Sequence, residues 1–401
     1  MKGTMRILQV CPKPPRPLID GGCIAMNAIT EGLLNAGHSV KVLAMSTEKH
    51  PFNKAVIDDE YLRKTGYSDI SISTGLNPAK ALKSLFRGSS YNLDRFYSID
   101  VEKELGGILK QEKFDLVILE SLYTSDYIKC VRENSEAKIL LRAHNVEHHI
   151  WEGLAGEEKS ALKKWYLQKL SKQLKSSEIE ALNKVDGVVT ITQVDLDLFK
   201  KLGSEVPMHV SPFGMEFGEY KSLKTVDHVF HFGSMDWKPN VQGVKWLMEE
   251  VWPRVRKSIP EAKLILAGRN MPVHIVSNAD LGIEVIGEVA SAEEFLRRDG
   301  IMTVPILSGS GMRVKAVEGM ASGKPLVGTT LGVCGLDLVD GEHGFISDTP
   351  ELFAKRLILL LESPSQAIAL GEKGAQFIRS KFSNELIIKE LEKFIFSYIA
   401  S

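Results

Sequence analysis

Residues 301–330 read IMTVPILSGSGMRVKAVEGMASGKPLVGTT, and this stretch decides the fold. An apolar run, Ile301–Pro305, predicts a buried strand, and Leu307-Ser308-Gly309-Ser310-Gly311 predicts a turn. Apolar residues at helical spacing then predict a helix from about Met312 to Ala321. Gly323-Lys324-Pro325 closes that helix before a second strand, Leu326–Thr329. A parallel strand feeding a glycine turn and a helix start gathers free backbone N–H groups and the positive end of the helix dipole at one point. Such a point suits an anion. Arg313 and Lys315 fall in the first turn, where cations disfavour the helix; a bound phosphate would offset that cost. The other reading is an ordinary strand–turn–helix with two basic residues on a solvated face. Glu318 lies one turn further on and could accept hydrogen bonds from ligand hydroxyls. Two phosphate motifs are excluded. Val314 stands where a third glycine would complete a dinucleotide fingerprint, and no Gly-Lys-Ser/Thr ending makes a P-loop.

The same alternation of short apolar strands and helices extends in both directions, which is the pattern of doubly wound parallel sheets. In the first half, strands are expected at Arg6–Val10, Val40–Ala44, Asp115–Leu119, Lys138–Arg142 and Gly187–Ile191. A helix is expected from about Ile24 to Asn35, and a long Lys-rich helical region from about His149 to Leu182. The Gly/Pro-rich segment His209–Tyr220 and the polar stretch Lys221–Asp227 read as a linker. A second series then begins, with strands at His228–Phe232, Lys263–Ala267, Ile283–Ile286, Ile301–Pro305, Leu326–Thr329 and Gly344–Ile346. The expected domains are 1–213 and 225–383, with a C-terminal helical segment, 384–401, packing back on the first. Ligands of open α/β sheets bind at the strands' C-terminal edges.

Size and charge bound the function. A chain of 401 residues is long enough for two cores. With 50 basic and 51 acidic residues the net charge is −1, which argues against a nucleic-acid partner. No apolar run is long enough to span a membrane, and MKGTMRILQV enters a strand without a signal-peptide core. The four cysteines, Cys11, Cys23, Cys130 and Cys334, are scattered without metal-ligand spacing, so reduced thiols and a cytoplasmic location are expected. Asp195-Leu196-Asp197 follows Thr192. Residues two apart on a helix do not share a face, so these carboxylates read as helix-start charge and not as a metal site.

Five motifs stand in order along the chain: Asp20-Gly21-Gly22; Arg142-Ala143-His144-Asn145-Val146-Glu147; Phe232-Gly233-Ser234-Met235-Asp236-Trp237; Leu266-Ala267-Gly268-Arg269-Asn270; and Gly309–Ala321. With this set the chain resembles the retaining nucleotide-sugar glycosyltransferases of family four. The resemblance implies the α/β GT-B fold, with two Rossmann-like domains facing each other across a cleft. It places Gly21 and Gly22 beside the donor diphosphate and the acceptor, and His144 near the donor sugar. Ser234, after Gly233, stands where the family often has the Arg of an Arg–Lys pair; Lys238 is displaced from the Lys position. Arg313 and Lys315 are then expected to hold the diphosphate. Arg269 reads either as a rim residue or as a surface Arg in a turn. Relatives carry two glutamates separated by seven intervening residues. Glu318 matches the second, which contacts the ribose, whereas the first falls on Ser310. The Ser310 hydroxyl and the backbone N–H groups of Gly311 and Met312, with Gly309, are left to meet the donor sugar.

The implied activity is metal-independent transfer of a sugar from a nucleotide diphosphate sugar to an acceptor hydroxyl, with His144, Arg313, Lys315 and Glu318 as the working residues and no cofactor. An epimerase or inverting transferase on the same fold, or a nucleotide-binding protein without transfer activity, are the alternatives. The expected acceptor is a carbohydrate or a lipid-linked carbohydrate, met by the loops after Gly22, Ser46 and Glu120. Trp151, Trp165, Tyr166 and Leu170 in the Lys-rich region read either as a stripe buried in the core or as a weak membrane-surface contact.

Overall fold

The computed structural model describes residues 3–75, 77, 84, 90–218, 222–309 and 311–399. Ser310 lies outside them. The chain forms two compact units: Met1–Met215 with Asn384–Ser401, and Glu216–Ser383.

The first unit is built on seven parallel strands: β1 (Arg6–Cys11), β2 (Ser39–Ser46), β3 (Ser68–Ser71), β4 (Leu116–Glu120), β5 (Lys138–Ala143), β6 (Gly187–Thr190) and β7 (Met208–Val210). Their order is β3-β2-β1-β4-β5-β6-β7. The central strands are continuous apolar runs because both faces are covered. Alternate residues sort the faces. Leu8, Val10, Val117 and Leu119 join one core cluster, while Ile7, Val42, Ile118 and Leu140 join another. Helix Gly21–Asn35 closes the second face with Met26, Ile29 and Leu33, and the returning segment adds Ile388, Leu391 and Ile395.

Two local differences from expectation have physical causes. The first helix starts at Gly21, not Ile24, because Asp20 caps it by accepting from the Cys23 N–H at 2.9 Å. The Lys-rich region is two helices, Glu147–Glu157 and Ala161–Leu182. Its aromatic stripe divides: Leu170 is buried, Trp151 and Tyr166 pack partly against the core, and Trp165 is 55% exposed.

The second unit repeats the plan with β8 (His228–Phe232), β9 (Lys263–Ala267), β10 (Ile283–Gly287), β11 (Ile301–Val304), β12 (Leu326–Gly328) and β13 (Phe345–Ile346), ordered β10-β9-β8-β11-β12-β13. All pairs are parallel. In each sheet the first and fourth strands are neighbours, and the chain winds away from them in opposite directions. The loops after that pair, β1/β4 and β8/β11, diverge and leave a crevice at the C-terminal edge.

Candidate functional site

In the second unit the crevice is made by close backbone approach. Gly268 follows β9 with φ +154°, and a Cβ there would stand 1.8 Å from the Gly233 carbonyl oxygen at the end of β8. A Cβ on Gly233 would meet Lys315 Nζ at 2.7 Å. Gly268 thus lets the ends of β8 and β9 approach, and Gly233 leaves room for the Lys315 ammonium. Lys315 sits in helix Val314–Ala321, which follows β11. Its Nζ donates to Asn240 Oδ1 at 2.8 Å and lies 3.3 Å from His231 Nε2. His231 Nδ1 is 3.1 Å from the Thr303 carbonyl, so Nδ1 carries the proton and Nε2 accepts from Lys315. Both partners of Lys315 are neutral. Burial, then the charge of Arg313, pulls its ammonium down to about 7.

Arg313 is the N-cap residue of that helix rather than part of its first turn. Its guanidinium lies over the Trp237 ring, 4.6 Å from the centroid, and burial lowers it to about 10. Gly309, at φ +98°, packs beneath the same Trp237 ring, where a Cβ would come within 3.0 Å. Gly311 is also at positive φ (+85°), and Met312 leads directly into the cap. Ser234 donates its hydroxyl to Asp236 at 3.0 Å. Arg269 is half-exposed, with its Nε 3.7 Å from the same carboxylate. Gly233, Ser234, Gly309, Arg313 and Lys315 thus share one strand-end region, with Arg269 at its exposed margin. Glu318 lies further along the helix; burial raises its carboxyl, which has no hydrogen-bond or ion partner among the described residues. Such a carboxyl is available to accept from a ligand.

The first unit has a different chemistry. Glu120 closes β4 and is fully buried. Its Oε2 is 2.6 Å from His144 Nε2 and 3.1 Å from Arg142 Nη1, while Oε1 accepts from Gln9 at 2.7 Å. Burial alone would raise this carboxyl, but the Arg142 charge and the His144 bond prevail and hold it at about 2. An ionised Glu120 fixes the tautomer of His144: Nε2 carries the proton and donates, and Nδ1 is left as an acceptor. Burial also lowers the imidazole's own pKa, against the pull of Glu120. At the neighbouring strand end, Asp20 binds Lys13 Nζ at 2.6 Å and His50 Nε2 at 3.0 Å beside Gly21 and Gly22. A Cβ on Gly22 would stand 2.8 Å from Lys13 Nζ.

Sequence reading did not single out Lys13, His50 and His231, and it gave Asn240, Glu120 and Arg142 no roles. One signal was available for the last two. Each is an ionisable residue at the end of an otherwise apolar strand, and the two are register partners.

Asp195 behaves as a helix-start residue: Thr192 caps the helix, and the two side chains bond at 2.6 Å. Among the described residues no helix is long and apolar enough to cross a membrane.

Residues 227–363, most of the second unit, match the family model of Glycosyl transferases group 1. An uncharacterized 44.6 kDa protein in the cps region of Klebsiella pneumoniae is 24% identical over 402 residues, covering 97% of this chain and 99% of its own. The structure of sucrose-phosphate synthase from Thermosynechococcus elongatus matches with a TM-score of 0.67 at 16% identity, over 98% of this chain and 99% of that one. Anabaena HepE in complex with UDP matches with a TM-score of 0.64 at 12% identity, over 98% and 100%. The two structural likenesses establish the GT-B fold. Together with the matched domain, they support a GT-B glycosyltransferase.

Proposed function

We propose that this protein moves a sugar from a nucleotide diphosphate sugar to an acceptor hydroxyl, with retention of the anomeric configuration and without a metal ion or other cofactor. The observation that carries the reading is Lys315: an ammonium held by two neutral groups, at a helix start, in space left by Gly233. A cation so placed lacks a counter-ion among the described residues and suits a diphosphate. In the reaction the bond from the anomeric carbon to the phosphate oxygen breaks, and its electron pair goes to the diphosphate. Arg313, Lys315 and the helix start stabilise that growing charge more in the transition state than in the bound donor. The acceptor oxygen bonds to the anomeric carbon from the same face, and its proton passes to the leaving phosphate oxygen. His144 accepts a donor-sugar hydroxyl at Nδ1, Glu318 accepts from the ribose, and Arg269 lines the margin. Gly309, Gly311 and Met312 bring backbone to the sugar, and Gly21 and Gly22 do so near the acceptor.

HepE was crystallised with UDP, which makes UDP the first base to try. The Klebsiella relative, a protein in a cps region, supports a role in polysaccharide assembly; the location proposed with it is the cytoplasmic side, and the acceptor a carbohydrate or lipid-linked carbohydrate.

The test is a thermal-shift panel of UDP, GDP, ADP, TDP and CMP on wild type and Lys315→Met. One nucleoside diphosphate should raise the wild-type melting temperature, and the variant should lose most of that shift. No shift from any nucleotide, or equal shifts in both proteins, removes the donor assignment. Retention is tested separately by the product anomer: a β-linked product from an α-linked donor overturns it.

A further inference from the structure

The first unit carries a second concavity, formed by the loop after Ser46 that was expected to meet the acceptor. It has a volume of about 650 Å³ and opens where β2 and β3 end, at the same sheet edge as Gly21. Ser46 and Ser71, the last residues of those strands, are register partners on its rim. Two carboxylates line it. Glu48 is held in place by the Ser73 hydroxyl at 2.6 Å and the Thr74 N–H at 3.2 Å. Asp69 accepts from the Ser46 hydroxyl at 2.6 Å through Oδ2, while its buried Oδ1 has no hydrogen-bond partner among the described residues. Phe52 adds an aromatic wall, fixed by stacking on Tyr67 with centroids 5.4 Å apart. No Lys, Arg or His lines the pocket among the described residues. The loop that forms it is tied to the candidate site, because His50 in that loop bonds Asp20 beside Gly21.

We propose that this pocket binds a neutral sugar unit of the acceptor and excludes acceptor units that carry phosphate or carboxylate. The proposal rests on the transfer reading for its biological meaning, but its chemistry stands on the lining. Ionised carboxylates only accept hydrogen bonds, and a sugar ring offers several hydroxyl donors. Hydroxyl-to-carboxylate bonds are short and stronger than neutral ones. Phe52 provides an apolar face for the C–H side of the ring, in the usual mixture for small-ligand sites. The Ser73 bond, with backbone and Thr74 bonds, lowers the Glu48 carboxyl to about 2, so it stays charged. An anionic ligand would meet that charge with no cation in the pocket to offset it, a repulsive contribution to specificity.

Saturation-transfer NMR can test this with methyl glycosides of glucose, galactose, mannose, rhamnose and N-acetylglucosamine, and with methyl glucuronide as the anionic probe. Wild type, Glu48→Gln and Phe52→Ala are compared, each with a nucleoside diphosphate present. At least one neutral glycoside should show transfer, reduced fivefold or more in both variants, and the glucuronide should show none. The proposal fails if no neutral glycoside shows transfer, if the variants match wild type, or if the glucuronide binds as well as the neutral sugars. Nucleotide thermal shifts on the same samples separate the two readings. Shifts retained in all three proteins confirm folding and leave the donor assignment standing if the pocket fails. Absence of a shift in wild type removes the donor assignment, whatever the glycosides do.

Discussion

The two units share a sheet plan but settle their buried charges in opposite ways. At the first unit's crevice, Glu120 has the Arg142 guanidinium and the His144 ring, and Asp20 has the Lys13 ammonium and the His50 ring. In the second, Lys315 has only Asn240 and His231 among the described residues. A closed ion pair sets geometry and gives little to a ligand. A charge left with neutral partners costs stability in the empty protein and returns it when an anion arrives. The difference separates an orienting role from a binding one.

The largest effect should come from opening the closed set. Glu120→Ala leaves Arg142 buried with its charge uncompensated and should cost about 3–5 kcal/mol of stability, read by denaturant unfolding. The pH dependence has the same origin. The folded-state carboxyl is held near 2, below its unfolded value. Its contribution is therefore full above the unfolded value and is lost as pH falls from there towards 2. Glu120→Ala should flatten that acid limb; an unchanged limb would show that the pair is not coupled to folding.

Removing the open charge should act on function instead. Lys315→Met should retain stability within about 1 kcal/mol and lower kcat/KM by about 10²–10³-fold. A loss in KM alone, with kcat unchanged, would mean that the ammonium binds donor and transition state equally. A smaller effect follows from its lowered pKa. Near 7 in the free protein, it is raised by a bound diphosphate, so binding takes up a proton above that pH. Diphosphate affinity should weaken about tenfold between pH 6.5 and 8.5 in wild type, measured by calorimetry, and the slope should vanish in Lys315→Met. The smallest effect belongs outside both sites. Trp165→Ser, at an exposed position, should change stability by less than about 0.5 kcal/mol. If binding to anionic vesicles falls in that variant, the membrane-surface reading gains its first support.

Legibility in the sequence followed burial. β8 and β9 were expected with the bounds they have, because each is a continuous apolar run between turns. β3 and β7 went unseen. Ser68–Ser71 is polar and Met208–Val210 has three half-buried residues, since each is an edge strand paired on one side only. The Gly309–Glu318 segment could be read because its strand, turn and helix are local in sequence. The Glu120 cluster left only the paired ionisable residues Glu120 and Arg142 as a signal, because it joins Gln9 and Glu120 from two strands to His144 just past a third. His231 was hidden inside an apolar strand, where one imidazole looks like core until Lys315 is placed against it.

The return of residues 384–399 to the first unit bears on how the protein is made. Ile388, Leu391 and Ile395 complete a core begun at Ile7, while the whole of the second unit lies between them in sequence. On the ribosome, therefore, the second unit can finish folding while the first still lacks one covering of its sheet. During that interval the apolar face awaiting those residues is open to chaperones and to other nascent chains. A stop codon just before residue 384 would leave it open permanently, so the predicted cost of that truncation falls first on solubility.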